Sequence, residues 1–382
     1  MAAKQQLPHQ ALLRQLFAAA IGQVNGKDAV LSALQQQPIP QPDQIIAVGK
    51  AASAMCRGAL EGLGNDIPAF VVTKYQHIET ALKDIPNVST LESAHPVPDE
   101  HSLLAGKKIQ EIVHSMDQDQ HLLLLVSGGA SSLAECLPED YSLAALQQLT
   151  NQMLAAGYDI KAINKKRKEI SRLKDGKLLA EYQGHLVTIL TISDVEGDDI
   201  HDIGSGIGSP DKARCDSDLR IIASNKIARD AVAAKAIELG YDIRCNEESL
   251  YGDVFAARES IATVLHAAKP GVYIWGGEPT VQLPDNPGRG GRNQALALAI
   301  ANSIAGTHRM DVLVAGTDGT DGPTDAAGGI VNGDTFRYPD RAMQALAEAN
   351  AGVYLESVDA LFKTGPTQTN VMDLVIALVQ DA

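Results

Sequence analysis

The sequence is poor in cysteine, in aromatic residues and in positive charge. Its 382 residues include 4 cysteines, 1 tryptophan and 4% aromatic residues in all, and the formal net charge is −15. The cysteines form no CxxC pair and no zinc-ligand spacing, which argues against a zinc site or a disulfide framework and predicts free, mostly buried thiols. The negative charge disfavours nonspecific binding to nucleic acid or to an anionic membrane surface.

Long hydrophobic runs are also missing. No stretch reaches the roughly 18 apolar residues of a membrane span, and residues 1–10 contain no apolar signal-peptide core. We therefore expect a cytoplasmic protein that binds neither membranes nor nucleic acid and acts on a small molecule. The length predicts about two domains, each with its own core. The oligomeric state, monomer or homo-oligomer, is left open.

What the sequence does contain is a series of apolar, strand-like runs that end in glycine-rich loops. In open α/β sheets, ligands bind at the carboxyl ends of the strands, where glycine lets the backbone approach a ligand closely. The pattern predicts an α/β fold with its site in these loops. The runs are residues 45–48, 122–126, 185–192, 272–275 and 311–315.

Two of these loops are candidate phosphate sites. Lys50 follows the first strand and precedes a helix, where a lysine can bind phosphate, although a lysine that merely caps a turn is the alternative. Ser127, Gly128 and Gly129 form a strand-to-helix turn rich in hydrogen-bond donors. No Walker A motif occurs, and the turn lacks the GxSxG pattern of a serine nucleophile.

The most basic segment of this acidic chain is residues 163–177. Ile163, Arg167, Ile170 and Lys174 recur at helical spacing. This spacing places Arg167 and Lys174 on the apolar face, where an inward cation would need an anionic ligand. A solvated charge run is the alternative.

Acidic and cationic residues follow the remaining strands. Asp194 and Asp318 each come after a strand, which suits a divalent-cation site, although loop aspartates also bond their own backbone. The loops after residues 272–275 and 311–315 bring Arg292 and the further candidate nucleotide or substrate ligands Glu278, Asn293 and Thr317. Arginine beside an anion and aspartate beside a metal together favour phosphoryl transfer.

Eight of these motifs, in this order, resemble the type II glycerate 2-kinases, or MOFRL family. The resemblance spans nearly the whole chain, from Lys50 to Leu374. The motifs are Val48–Ala52, His95–Glu100, Ser127–Gly129, Ile163–Lys168, Ser193–Asp199, Gly290–Gln294, Gly316–Gly328 and Thr364–Val371.

The resemblance implies a larger Rossmann-like N-terminal domain, residues 1–262, and a smaller α/β C-terminal domain, residues 263–382, with the active site in the cleft between them. It also implies ATP- and divalent-cation-dependent phosphorylation of D-glycerate at its 2-hydroxyl, with Mg²⁺ as the expected cation. The family's proposed catalytic lysine and arginine fall on Lys50 and Arg292, which agrees with the choice of both as cations that stabilise a phosphoryl transition state.

Two alternatives to a kinase remain. The first is an oxidoreductase of the hydroxypyruvate or tartronate pathways, although no GxGxxG follows a strand. The second is a sugar-acid sensor without enzymatic activity, which would need an effector domain. The chain also departs from the usual family residues at Glu169, Asp175, Ile207, Gly208, Ala295 and Gln368.

Overall fold

A computed structural model describes residues 8–155 and 160–381, which pack into two compact units. The parallel-sheet unit consists of Asn25–Ser224 together with Gln368–Asn370. The mixed-sheet unit contains the other described residues. Each unit has its own hydrophobic core.

The parallel-sheet unit is built on six strands, in the order β3-β2-β1-β4-β5-β6, all parallel. This is the strand order of a Rossmann fold. The leucine-rich β4 is central and entirely buried, as expected for a strand covered on both faces. The strands are β1 (Gln44–Val48), β2 (Ala69–Lys74), β3 (Val88–Ser93), β4 (His121–Val126), β5 (Leu186–Ile192) and β6 (Asp216–Ala223).

Helices connect these strands. They are α2 (Gly26–Gln36), α3 (Ala52–Leu63), α4 (Thr80–Lys83), α5 (Glu100–Ser115), α6 (Ala130–Leu133), α7 (Leu143–Ala155), α8 (Ile160–Ile170) and α9 (Lys177–Ala180). Asn25 begins α2 by accepting hydrogen bonds from the backbone N–H of Lys27 (3.0 Å) and Asp28 (3.4 Å). Asp99 begins α5 with a capping box to Ser102.

The mixed-sheet unit also has six strands, in the order β11-β10-β9-β12-β8-β7. Only β7 and β8 pair in parallel; the other pairs are antiparallel. The strands are β7 (Ile243–Leu250), β8 (Gly271–Gly277), β9 (Met310–Gly316), β10 (Gly328–Asn332), β11 (Leu361–Phe362) and β12 (Asp373–Val379). The helices are α1 (His9–Val24), α10 (Asn225–Glu238), α11 (Val254–His266), α12 (Arg292–Ser303), α13 (Pro339–Ala347) and α14 (Ala351–Ser357).

The position of β12 arranges the site of this unit. It lies between β8 and β9 and runs antiparallel to both, so its first residue, Asp373, is opposite both Gly277 and Gly316. The loops that follow β8 and β9 therefore meet at the beginning of β12.

The boundary between the two packing units differs from the predicted domain boundary between residues 262 and 263. They part at Ser224 and Asn225, because β7 pairs with β8 in the mixed sheet and so belongs with the C-terminal strands. The helix α1 also packs in the mixed-sheet unit, where Phe17 makes an edge-to-face contact with Phe362.

All four cysteines are free, but only Cys56 is buried, so the prediction of mostly buried thiols holds for one of them. In the described part of the chain, no helix combines the length and apolar character of a membrane span.

Candidate active site

Lys50 lies in the turn between β1 and α3, against the loop that follows the neighbouring strand β4. Its backbone N–H donates to the Gly128 carbonyl at 2.9 Å, and the Ser127 hydroxyl accepts from the Ala51 N–H at 3.1 Å. Gly49 has φ 132°, and a Cβ there would lie 2.1 Å from the Ser127 hydroxyl oxygen. The turn therefore requires glycine, and it fixes Lys50 beside residues 127–129.

The two glycines of this loop let three functional groups pack on the backbone. A Cβ on Gly128 would lie 1.8 Å from Asp194 Oδ2. A Cβ on Gly129 would lie 3.0 Å from His95 Cδ2 and 3.1 Å from Lys50 Cγ. We call Lys50, His95, Ser127–Gly129 and Asp194 the Lys50 cluster. It occupies the carboxyl edge of the parallel sheet, where Rossmann folds bind ligands.

Three cations, Lys50, Lys74 and Arg167, act on the His95 imidazole of the Lys50 cluster. Burial lowers the pKa of His95 to about 3, with Lys50, Lys74 and Arg167 adding to the effect, so the imidazole is neutral at physiological pH. Burial raises the pKa of Asp194, while Lys50 opposes that shift. The Asn370 amide donates to Asp194 Oδ2 at 3.3 Å. The cluster is suited to an anionic ligand.

The basic segment supplies one further cation to this region. Arg167 lies on α8 and is 9% exposed, so it points inward as its spacing predicts. The helix ends at Ile170, so Lys174 lies beyond it and the helical interpretation of its spacing is wrong. Lys174 is nevertheless fully buried, in an ion pair with Glu135. This position favours a structural role for Lys174 over contact with a ligand.

In the mixed-sheet unit, Arg292 is the first residue of α12 and is held by two carboxylates. Its Nε donates to Asp373 Oδ2 at 2.6 Å, and its Nη1 lies 2.8 Å from Glu278 Oε1. Burial opposes the charge of Arg292, but Asp373 and Glu278 outweigh that effect and raise its pKa. The guanidinium is therefore fixed in place and always charged. We call Glu278, Arg292, Asn293, Asp321 and Asp373 the Arg292 cluster.

Asp321 holds the amino end of α12. Its carboxylate accepts from the backbone N–H of Asn293 (3.1 Å) and of Gln294 (2.8 Å). Burial raises the pKa of Asp321 to about 7, and nearby Asp373 adds to the shift, although these two hydrogen bonds and Arg292 oppose it. A Cβ on Gly291 would lie 2.3 Å from the Asp321 Cγ, so glycine is needed at this contact.

The other predicted ligands of this unit have partners within the fold. The Asn293 amide donates to Asp373 Oδ1 at 2.9 Å. The buried Thr317 hydroxyl donates to the Met372 carbonyl at 2.6 Å and accepts from the Val371 N–H at 2.9 Å. Asp318 accepts from the N–H (2.9 Å) and the hydroxyl (3.0 Å) of Thr320, as in the backbone-bonding alternative.

Comparisons with known proteins find relatives over most of the chain. Residues 12–238 match a family model described as a domain of unknown function, DUF4147, and residues 271–373 match the MOFRL family model. The chain is 35% identical to the D-glycerate 2-kinase of Thermotoga maritima, over 88% of this chain and 90% of that protein. It is 31% identical to a putative hydroxypyruvate reductase of Agrobacterium vitis, over 96% and 94%.

A solved structure matches as well. The crystal structure of glycerate kinase from Thermotoga maritima aligns with a TM-score of 0.89 and 33% identity, and it covers 98% of this chain and 100% of the other. The chain belongs to the MOFRL family of glycerate 2-kinases. The family resemblance and the α/β, Rossmann-like fold class predicted from the sequence are thereby confirmed.

Within this MOFRL-family chain, the candidate metal ligands Asp194 and Asp318 lie in different packing units. Among the described residues, no group of three or more His, Cys, Asp or Glu side chains could hold a metal ion. Mg²⁺ commonly uses only one or two protein carboxylates and takes its other oxygens from phosphates and water. Asp194 fits that role better than Asp318, because its half-buried carboxylate lies against the backbone of the 127–129 loop.

The structure also adds residues that the sequence interpretation missed or discounted. His95, the first residue of the family motif His95–Glu100, packs on Gly129. Glu135 and Asp373 carry no motif signal of their own, since each meets its cation through the fold. Asn370 lies in the family motif Thr364–Val371, and that motif was the one signal that could have pointed to it.

Proposed function

We propose that this protein transfers a phosphoryl group from ATP to the 2-hydroxyl of D-glycerate. The support comes from relatives named glycerate 2-kinase that align with most of the chain, and from a glycerate kinase structure that covers nearly all of it. Phosphoryl transfer needs little covalent chemistry from the protein and depends on positioned positive charge. The fold holds two such cations in place, the Lys50 ammonium and the Arg292 guanidinium.

The Lys50 cluster is the observation that carries the proposal. It places a lysine, a glycine-rich loop and a carboxylate together at the ligand-binding edge of a Rossmann-type sheet. We assign to Lys50 the stabilisation of negative charge on the transferred phosphoryl group. Ser127, Gly128 and Gly129 let phosphate oxygens approach the backbone closely.

We assign a similar electrostatic role to Arg292. Glu278 and Asp373 fix its guanidinium, so little reorganisation is needed when charge develops in the transition state. Asp194 would hold the divalent cation, which when bound neutralises phosphate charge. Glu278 and Asn293 would position Arg292 rather than contact the nucleotide themselves.

The oxidoreductase alternative has two relatives in its favour, both named putative hydroxypyruvate reductase. In dinucleotide-binding Rossmann folds, the first strand-to-helix turn carries GxGxxG. In this chain that turn reads Gly49-Lys50-Ala51-Ala52-Ser53-Ala54, with a single glycine and a lysine beside it. The turn therefore favours phosphate chemistry over dinucleotide binding.

The test is to incubate the purified protein with ATP, Mg²⁺ and a panel of hydroxy acids, following ADP release and, separately, NADH absorbance with hydroxypyruvate. ADP release that depends on D-glycerate is expected, with no NADH oxidation. Enolase added without phosphoglycerate mutase distinguishes the products, since it consumes 2-phosphoglycerate only. NADH oxidation without ADP release would overturn the proposal in favour of the reductase.

The expected partners are small molecules alone, ATP and the hydroxy acid. We further propose a cytoplasmic location, because ATP must be available as the phosphoryl donor.

A further inference from the structure

The parallel-sheet unit buries a cation that has no direct counter-ion among the described residues. Arg167 is 9% exposed, and its Nε has no hydrogen-bond partner. Burial lowers the pKa of Arg167, and only Glu135 opposes the shift. A buried charge is unfavourable unless it is paired, so the position of Arg167 implies a bound anion that pairs with its guanidinium.

The carboxylate that acts on the pKa of Arg167, that of Glu135, is already paired. Glu135, 1% exposed, forms an ion pair with the fully buried Lys174. Glu135 thus faces two buried cations, and one positive charge is left over. Because Lys174 is neutralised by its ion pair with Glu135, the unpaired positive charge is that of Arg167.

The Lys50 cluster contains one carboxylate, Asp194, and the cation that acts on its pKa is Lys50. Arg167 lies near enough to His95 to help lower the pKa of that imidazole, and Lys50 and Lys74 act on the same ring. His95 is therefore neutral and cannot balance Arg167. The imidazole of His95 in turn lies against Gly129, beside the Lys50 side chain.

We propose that Arg167 binds an anionic oxygen pair of a ligand, either the carboxylate of the hydroxy acid or a phosphate of ATP, and that the Glu135–Lys174 ion pair supports it from behind. The identity of the two ligands rests on the proposed function. A planar guanidinium fork matches the two oxygens of either group and can bind them with two parallel hydrogen bonds.

The test compares Arg167→Gln and Arg167→Lys with wild type, with Arg172→Gln as the matched control. Arg172 belongs to the same basic segment but is exposed, and its nearest carboxylate, Glu181, is 3.9 Å away. Isothermal titration calorimetry measures D-glycerate and ATP binding separately, and steady-state kinetics gives the KM for each. Circular dichroism checks the fold.

Arg167→Gln is expected to weaken the binding of either D-glycerate or ATP by about 10- to 100-fold, the size of a lost charge-assisted contact. Arg167→Lys should restore part of the loss, and Arg172→Gln none of it. Weaker D-glycerate binding identifies the carboxylate as the partner, and weaker ATP binding identifies a phosphate. Unchanged binding of both anions in a folded Arg167→Gln protein overturns the proposal, and so does an equal loss in Arg172→Gln.

The two proposals can fail separately. If wild type binds ATP and D-glycerate but releases no ADP, the kinase function fails while the calorimetry still decides the role of Arg167. If Arg167→Gln does not fold, Arg167→Lys keeps the buried charge and gives the decision. A wild-type protein that binds neither anion overturns both.

Discussion

At the scale of single residues, Lys50 and Arg292 are cations positioned by different means. A strand-to-helix turn fixes the Lys50 backbone, whereas two carboxylates fix the Arg292 guanidinium. If both stabilise charge mainly in the transition state, Lys50→Ala and Arg292→Ala should each lower kcat more than they weaken ground-state binding. We expect a loss of about 10² to 10³ in kcat, or roughly 3 to 4 kcal/mol.

The measurement is kcat, the KM for D-glycerate and the affinity for ATP in each variant. Arg292→Lys should recover only part of the activity, because lysine lacks the bidentate fork. Lys108→Ala and Arg341→Ala remove exposed cations from α5 and α13 and serve as controls. A folded Lys50→Ala or Arg292→Ala protein with near-normal kcat would remove that residue from the mechanism.

Asp321 should make the stability of the protein depend on pH. Its pKa is about 7 in the folded chain against an ordinary value of 3.8, so ionisation opposes folding. The stability that Asp321 contributes is present at acidic pH and is lost as the pH rises towards 7. Between about pH 5 and pH 8 the free energy of unfolding should fall by roughly 3 kcal/mol relative to Asp321→Asn, two pKa units at 1.36 kcal/mol each.

Urea denaturation of both proteins at the two pH values measures this difference. Asp325→Asn is the matched control, because Asp325 lies in the same loop and its pKa is lowered by Lys363, so it does not titrate in that range. If the free energy of unfolding changes with pH in the same way in wild type and Asp321→Asn, the raised pKa of Asp321 is contradicted.

At the scale of elements, the loop between β4 and α6 depends on glycine for its contacts. An alanine at Gly128 would place its Cβ 1.8 Å from Asp194 Oδ2 and force the carboxylate away. A displacement of about 1 Å in a catalytic group can cost about 10²-fold in rate. We expect Gly128→Ala to lower kcat by at least about 10-fold and to raise the divalent-cation concentration needed for activity.

Gly22→Ala is the comparison for Gly128→Ala. Gly22 lies in α1, where an added Cβ meets nothing within 4 Å, so this change should leave kcat unaltered and stabilise the helix by about 0.5 to 1 kcal/mol. Equal kcat values for the two alanine variants would show that the contact between Gly128 and Asp194 has no part in catalysis.

Two departures from the usual family residues lie at positions with an unusual backbone conformation. Asp175 (φ 58°) and Gln368 (φ 62°) both have the left-handed backbone that glycine adopts most easily. The family resemblance places glycine at both positions. Asp175 also pairs with Lys212 at 2.6 Å, a contact that a glycine could not make. The backbone at both positions thus has a conformation that would suit the glycine of the family pattern.

At the scale of the whole molecule, the proposed reaction brings the phosphates of ATP to a protein of net charge −15. We expect turnover to stop in excess EDTA and to return when Mg²⁺ is added. Asp194→Asn should raise the Mg²⁺ concentration needed for half-maximal rate more than Asp318→Asn does, because the Asp318 carboxylate already accepts hydrogen bonds from Thr320. Full turnover in EDTA would refute the metal requirement, and a larger effect of Asp318→Asn would reverse the assignment.

The sequence by itself determined five of the strands, the loops that follow them and the family. Those features are local: β4 is a continuous apolar run, and Lys50 and Ser127–Gly129 follow their strands directly. Hydrophobic pattern and turn residues are enough to predict such features. The inward orientation of Arg167 followed from helical spacing in the same way.

Only the tertiary structure decided which charges meet. Asp373 reaches Arg292 because β12 inserts antiparallel between β8 and β9, and Glu135 reaches Lys174 from 39 positions away. Asp321 caps a helix that begins 29 residues before it in the chain. No local pattern encodes these pairs, since each depends on strand order and on packing within its own unit, and burial then shifts the pKa values.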